Sequence, residues 1–147
     1  MIRLLALVCL SVPVLALAQS GTGLTGQYYD AATFTTLKTT RTDATVDFSF
    51  GTSIPSGTSI TNADTFSIAW SGQVEPEFSG LYTFYVTADD GARLWVNDQM
   101  VASRTFLAAT AEMRGQVRLT AGQRVNIRLE YIKQPHQALG VTLRCAS

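Results

Sequence analysis

The 147-residue chain is poor in the side chains on which most protein chemistry is built. It contains two cysteines and one histidine, too few for a zinc site of ordinary Cys/His spacing. His136 stands in a Gln-Pro-His-Gln loop with no orienting partner recognisable in sequence, and no serine lies in a nucleophile-elbow context. A serine or cysteine triad needs both. Charge is scarce as well. Only 15% of residues are charged, basic and acidic residues number 11 each, and the formal net charge is zero. Binding to a phosphate backbone draws on a basic surplus that this chain lacks, which excludes nucleic acid as the expected partner. Also missing is any long apolar stripe of helical period. What remains is 46% hydrophobic and 10% aromatic residues, the makings of one folded domain with its own core.

The N-terminus reads as an address. Arg3 precedes an apolar run over residues 4–17, softened by Ser11 and Pro13, and Ala16-Leu17-Ala18 supplies the small-x-small pattern of a signal-peptide cleavage site. The run is shorter than the about 20 residues of a spanning helix. The expectation is a cleaved leader over residues 1–18 and an exported chain over residues 19–147, secreted or periplasmic, with no membrane span. Cleavage removes Cys9 and leaves Cys145 alone. An unpaired thiol near the end of an exported chain either cross-links two copies or lies inert in a last strand.

Period-two alternation runs through the rest. Phe66, Ile68 and Trp70 share one face; Tyr82, Phe84 and Val86 alternate with Thr83 and Tyr85; Val125, Ile127, Leu129 and Tyr131 alternate with Asn126, Arg128 and Glu130. Val46 and Phe48, Leu94 and Val96, Val117 and Leu119, and Val141 and Leu143 mark further short strands. The stretch from Glu75 to Gly80 breaks one strand from the next. Asp89-Asp90-Gly91, Asn97-Asp98 and Ala121-Gly122 sit where hairpins should turn, because Asp, Asn and Gly tolerate the backbone that tight turns require. Residues 51–64 read as a long exposed loop, and residues 108–114 as a single helical turn. Trp70, Trp95, Tyr82 and Phe84 fall at positions that read as core, whereas Tyr85 points to the opposite face, where its ring offers a stacking platform. The pattern predicts one all-β domain, an antiparallel sandwich or barrel.

One motif is a decoy. Residues 21–26 match G-x-G-x-x-G letter for letter, but no buried strand precedes them and no helix follows, so the phosphate-binding logic of that fingerprint does not apply. They read as a flexible lead-in. The same region opens a different series of motifs: Gly23-Leu24-Thr25-Gly26-Gln27-Tyr28-Tyr29; then Phe66-Ser67-Ile68-Ala69-Trp70-Ser71-Gly72; then Gly80-Leu81-Tyr82-Thr83-Phe84. Asp89-Asp90-Gly91-Ala92-Arg93-Leu94-Trp95-Val96 follows, and Leu119-Thr120-Ala121-Gly122 with Ile127-Arg128-Leu129-Glu130-Tyr131 closes it. In this order they resemble the protective-antigen-type (PA-fourteen) domain family over nearly all of residues 19–147. The resemblance implies a jelly-roll-like antiparallel β-sandwich, found in toxins, in insertions within glycosidases and in yeast adhesins.

The resemblance also implies a site. In the family's adhesin branch the aspartate pair is joined by a cis peptide bond and binds a calcium ion that holds sugar hydroxyls; Asp89 and Asp90 are the matching positions. Calcium takes six to eight oxygens, and the adhesins add an asparagine and backbone carbonyls from a loop near the C-terminal end. The corresponding segment here, residues 133–138, has no Asn or Asp. Gln134, Gln137 or a backbone carbonyl would have to serve, and Lys133 brings a positive charge beside the expected ion. The site expected is thus Asp89, Asp90, Gln137 and Tyr85 for ligand, with Asp89 and Asp90 for calcium. The leading functional expectation is a secreted, non-enzymatic carbohydrate-binding module with a glycan or glycoconjugate as partner. The alternative is a cell-surface or periplasmic protein-interaction or assembly domain without metal, self-associating through Cys145. A hydrolase ranks last.

Overall fold

The alternating runs close into two sheets in the computed structural model of the chain, which describes residues 22–105, 110–135 and 140–147. Ten strands follow one another: β1 (Leu24–Tyr29), β2 (Leu37–Asp43), β3 (Asp47–Ser49), β4 (Phe66–Val74), β5 (Gly80–Ala88), β6 (Gly91–Val96), β7 (Gln99–Arg104), β8 (Ala111–Leu119), β9 (Val125–Lys133) and β10 (Gly140–Ala146). One sheet has six strands in the order β2-β1-β4-β9-β6-β7, the other four in the order β3-β10-β5-β8, and all pairings are antiparallel. Only β1–β2 and β6–β7 are sequence neighbours that also pair; every other connection passes from one sheet to the other. The fold is the jelly-roll-like β-sandwich that the motifs imply, in a single domain.

Alternation decides which residues meet between the sheets. Phe66, Ile68 and Trp70 of β4, Leu94 of β6 and Ile127, Leu129 and Tyr131 of β9 face Tyr82, Phe84 and Val86 of β5 and Val141 of β10, all of them buried. Each large apolar side chain so buried contributes roughly 1.5–3 kcal/mol of transfer free energy. The ends are fastened by polar contacts. Tyr82 Oη donates to the Phe78 carbonyl at 2.7 Å, closing the turn before β5. Gly122 N–H donates to the Pro76 carbonyl at 2.9 Å, which ties the β8–β9 connection to the β4–β5 connection.

A polar knot sits at the other end of β1. The Asp43 carboxylate, buried in β2, accepts from Tyr28 Oη at 2.5 Å, from Trp70 Nε1 at 2.7 Å and from Arg41 Nε at 2.7 Å. The Arg41 guanidinium lies 4.5 Å from the Tyr28 ring centroid. Burial first, and then the hydrogen bond and charge of Asp43, hold the Tyr28 hydroxyl well above the usual phenol range. Gly26 makes room for this knot: a Cβ there would stand 2.6 Å from Asp43 Oδ2 and 3.0 Å from both Trp70 Nε1 and Tyr28 Cε2. The glycine of the decoy motif is required by close packing of aromatic rings, not by a phosphate.

Several expectations change. The presumed flexible lead-in contributes Leu24, Thr25 and Gly26 to β1, a paired interior strand. Within residues 108–114, the part from Ala111 onward begins β8 rather than a helical turn. Asn97 and Asp98 do turn a hairpin, with φ of 51° and 60°, but Asp89–Gly91 and Ala121–Gly122 lie on connections between sheets. Turn chemistry reports that the chain reverses, not whether the two strands will share a sheet. Trp95 is half-buried on the outer face of the six-stranded sheet, near Arg93, because its side chain alternates with the inward Leu94 and Val96. Cys145 is half-buried on β10 and packs against the core, and no cysteine is free among the described residues. Residues 1–18 lie outside the described residues.

Candidate functional site

The Asp89-Asp90 step is where the chain leaves the four-stranded sheet at Ala88 and enters the six-stranded sheet at Gly91. Both residues are buried, with 3% and 0% of their surface exposed. Asp89 Oδ1 accepts from Tyr131 Oη of β9 at 3.2 Å, and Asp90 Oδ2 accepts from the Gln134 backbone N–H at 3.0 Å. Burial, followed by the negative charges of Asp89 and Asp90 and the hydrogen bond to Asp89, drives the Tyr131 hydroxyl far above the usual phenol range. The connection is therefore lashed to the end of β9 by side-chain and backbone donors. The Asp89–Asp90 peptide is trans, since no cis peptide occurs among the described residues; here the structure departs from the cis bond that the resemblance implies.

Lys133, the last residue of β9, belongs to the same corner and is 1% exposed. Its Nζ donates to the Gln134 carbonyl at 3.3 Å, and the N–H of that same residue is the one bonded to Asp90. Among the described residues the corner offers two carboxylates, where calcium takes six to eight oxygens, and no group of three His, Cys, Asp or Glu residues is gathered there. The nearby Gln134 carbonyl already accepts from an ammonium. Gln137 and His136 lie outside the described residues.

Tyr85 stands apart from this corner. It is four residues before Asp89 on β5, about 13 Å along an extended chain, and on the outer face of the four-stranded sheet. There it is flanked across the sheet by Arg144 of β10 and Arg114 of β8. The Arg144 guanidinium lies 5.4 Å from the ring centroid and is held by Glu112. Beside the ring an open cavity of about 450 Å³ is lined by Thr83, Tyr85, Arg114, Gly115 and Gln116. Gly115 lines it with backbone alone; its missing side chain would point to the other face of β8, where β7 packs so close that an added Cβ would lie 1.8 Å from the Val101 carbonyl oxygen. An aromatic ring, a hydroxyl, an amide and a guanidinium around a shallow cavity suit the recognition of a polyhydroxylated ligand by stacking and hydrogen bonds. The sequence reading brought Tyr85 and the aspartates together as one site; the structure places them on different faces. It missed Thr83, Arg114 and Gln116, whose signal was the outward phase of β5 and β8.

The sequence matches the PA14 domain family over residues 20–145. Anti-sigma-I factor RsgI3 of Acetivibrio thermocellus is 35% identical over 119 residues, 81% of this chain but only 18% of that relative's length. Among solved structures, an anti-sigma factor domain-containing protein from Clostridium clariflavum is 34% identical with a TM-score of 0.78, covering 85% of this chain and 42% of that one. A structure described as the PA14 sugar-binding domain from an RTX adhesin shares the fold at 23% identity and a TM-score of 0.68, over 84% of this chain and 89% of that one. With the sandwich, the motif order and the match over residues 20–145 in agreement, the chain belongs to the PA14 domain family.

Proposed function

We propose that this chain is an exported, non-enzymatic glycan-binding module whose ligand lies on the outer face of the four-stranded sheet at Tyr85. The observation that carries the reading is the open cavity beside Tyr85, with Thr83, Arg114 and Gln116 around it. Its lining offers donors, acceptors and a ring but no carboxylate, a chemistry of binding rather than of glycoside cleavage. The PA14 sugar-binding domain of the RTX adhesin, alike in fold, lends support. In this reading Asp89 and Asp90 hold the corner of the sandwich and do not touch the glycan.

A glycan array probed with the purified chain tests it. The expected result is binding to a restricted set of saccharides, weakened at least tenfold by Tyr85→Ala, equivalent to about 1.4 kcal/mol. An array without signal would overturn the reading. In that case a protein-interaction domain takes its place. It is favoured by the similarity to anti-sigma factor proteins and by exposed Phe78 and Leu81 near the start of β5.

A further inference from the structure

We infer that the cavity beside Tyr85 takes an acidic sugar unit, a uronate, whose ring stacks on Tyr85 and whose carboxylate is held by Arg114. The inference rests on the glycan reading and names the class of ligand that this site selects.

Register places the groups. On the outer face of the four-stranded sheet, Tyr85 lies opposite Arg144 of β10 on one side and opposite Arg114 of β8 on the other. Side chains opposite one another in such ladders have Cβ atoms about 5 Å apart, so both guanidinium groups flank whatever stacks on the ring. Arg144 is already committed, paired with Glu112 at 2.5 Å and lying 5.4 Å from the ring centroid. Arg114 is not. Among the described residues no carboxylate stands within ion-pair distance of it, whereas Arg41, Arg93, Arg124 and Arg128 each have one. Of its outward neighbours along β8, Glu112 is taken by Arg144 and Gln116 is neutral. No acidic side chain lines the cavity. In a chain without net charge, this is a local cationic spot beside an aromatic platform.

The chemistry of the lining then selects the ligand. A guanidinium is a planar fork of N–H donors that matches a carboxylate through two parallel hydrogen bonds. In a uronate the carboxylate hangs from the rim of the sugar ring. A ring lying on Tyr85 therefore sends it sideways along the sheet, towards Arg114, while its hydroxyls meet Thr83 and Gln116. Gln116 Nε2 donates to Thr83 Oγ1 at 3.2 Å, which leaves the amide oxygen of one and the hydroxyl proton of the other for the sugar. A neutral hexose satisfies the ring and the hydroxyl partners but leaves the guanidinium to water.

The test measures binding of the full purified chain, in chelator, to oligosaccharides carrying glucuronate, galacturonate or mannuronate units. Each is set beside its counterpart with the carboxyl groups reduced to primary alcohols. The expected result is a pair whose acidic member binds at least tenfold tighter, with a preference that shrinks as salt is raised. Arg114→Met should bring the acidic member down to the affinity of its reduced counterpart and leave that counterpart unchanged, whereas Tyr85→Ala should weaken both. Arg118→Met removes the same charge from the same exposed strand face outside the cavity, and should keep the preference. Equal binding of both members, binding confined to neutral saccharides, or a preference that survives Arg114→Met would overturn the inference and leave the glycan reading standing. Absence of binding to every saccharide, acidic or neutral, would overturn both.

Discussion

At the scale of single residues, the polar knot around Asp43 illustrates how a buried charge is made tolerable. Tyr28, Trp70 and Arg41 each donate to it, so its removal orphans three groups at once. Asp43→Ala is expected to cost about 3–5 kcal/mol, the range for breaking a buried ionic network by taking away one partner. Gly26→Ala pushes a methyl group into the same knot and should cost about 1–3 kcal/mol. Both are read from urea denaturation as a lower midpoint at unchanged slope. Asp30 governs a pH effect. The Thr61 hydroxyl first, then the backbone N–H groups of Thr61 and Asn62 and the Lys38 ammonium, hold its carboxyl down to about 2 against the opposing effect of burial. The folded value lies below the ordinary one, so the contribution is complete above about pH 4 and is lost as the pH falls towards 2. Stability measured from pH 5 to pH 2 should fall, and Asp30→Asn should remove that part of the slope. None of this was legible in sequence, because the partners that decide it are distant: Tyr28 and Trp70 stand 15 and 27 positions from Asp43, and Thr61 and Asn62 stand 31 and 32 from Asp30.

At the scale of elements, legibility followed position in the sheets. Strands β4, β5 and β9 are flanked on both sides; β5 and most of β9 alternate inward and outward, so their apolar faces were legible, whereas β4 is buried on both faces over Phe66–Trp70 and was legible only through Phe66, Ile68 and Trp70, not out to its end at Val74. Strands β2 and β7 are the edges of the six-stranded sheet and are mostly exposed. Leu-Lys-Thr-Thr-Arg-Thr-Asp has no apolar face to betray it, since an edge strand is held largely by its ladder of backbone bonds. In β8 the alternation is interrupted at Gly115, where β7 passes close by, and only Val117 and Leu119 remained visible. The prediction at this scale concerns the crossings between sheets. Tyr82→Phe removes the hydroxyl that closes the turn before β5 and should cost about 1 kcal/mol. Hydrogen exchange should show the loss concentrated in residues 75–81 and 120–123, which that turn and its neighbour share.

At the scale of the whole molecule, the family was legible because its motifs are spread along the chain in fixed order, each tied to a structural requirement: Gly26 to the aromatic knot, Trp70 and Tyr82 to the core, Asp89-Asp90 to the passage between sheets. The site was legible only in part. Asp89, Asp90 and Tyr85 were singled out by residue type, but which of them face a ligand depends on the phase of β5 and on the burial of the corner, which no local pattern announces. The account therefore separates two properties that the resemblance joins, glycan recognition and calcium. The most direct measurement is the glycan array run twice with the same preparation of the chain, once in chelator and once in millimolar calcium. The account predicts the same saccharides at the same half-saturation in both. A glycan signal present only with calcium and abolished by Asp90→Asn would contradict it.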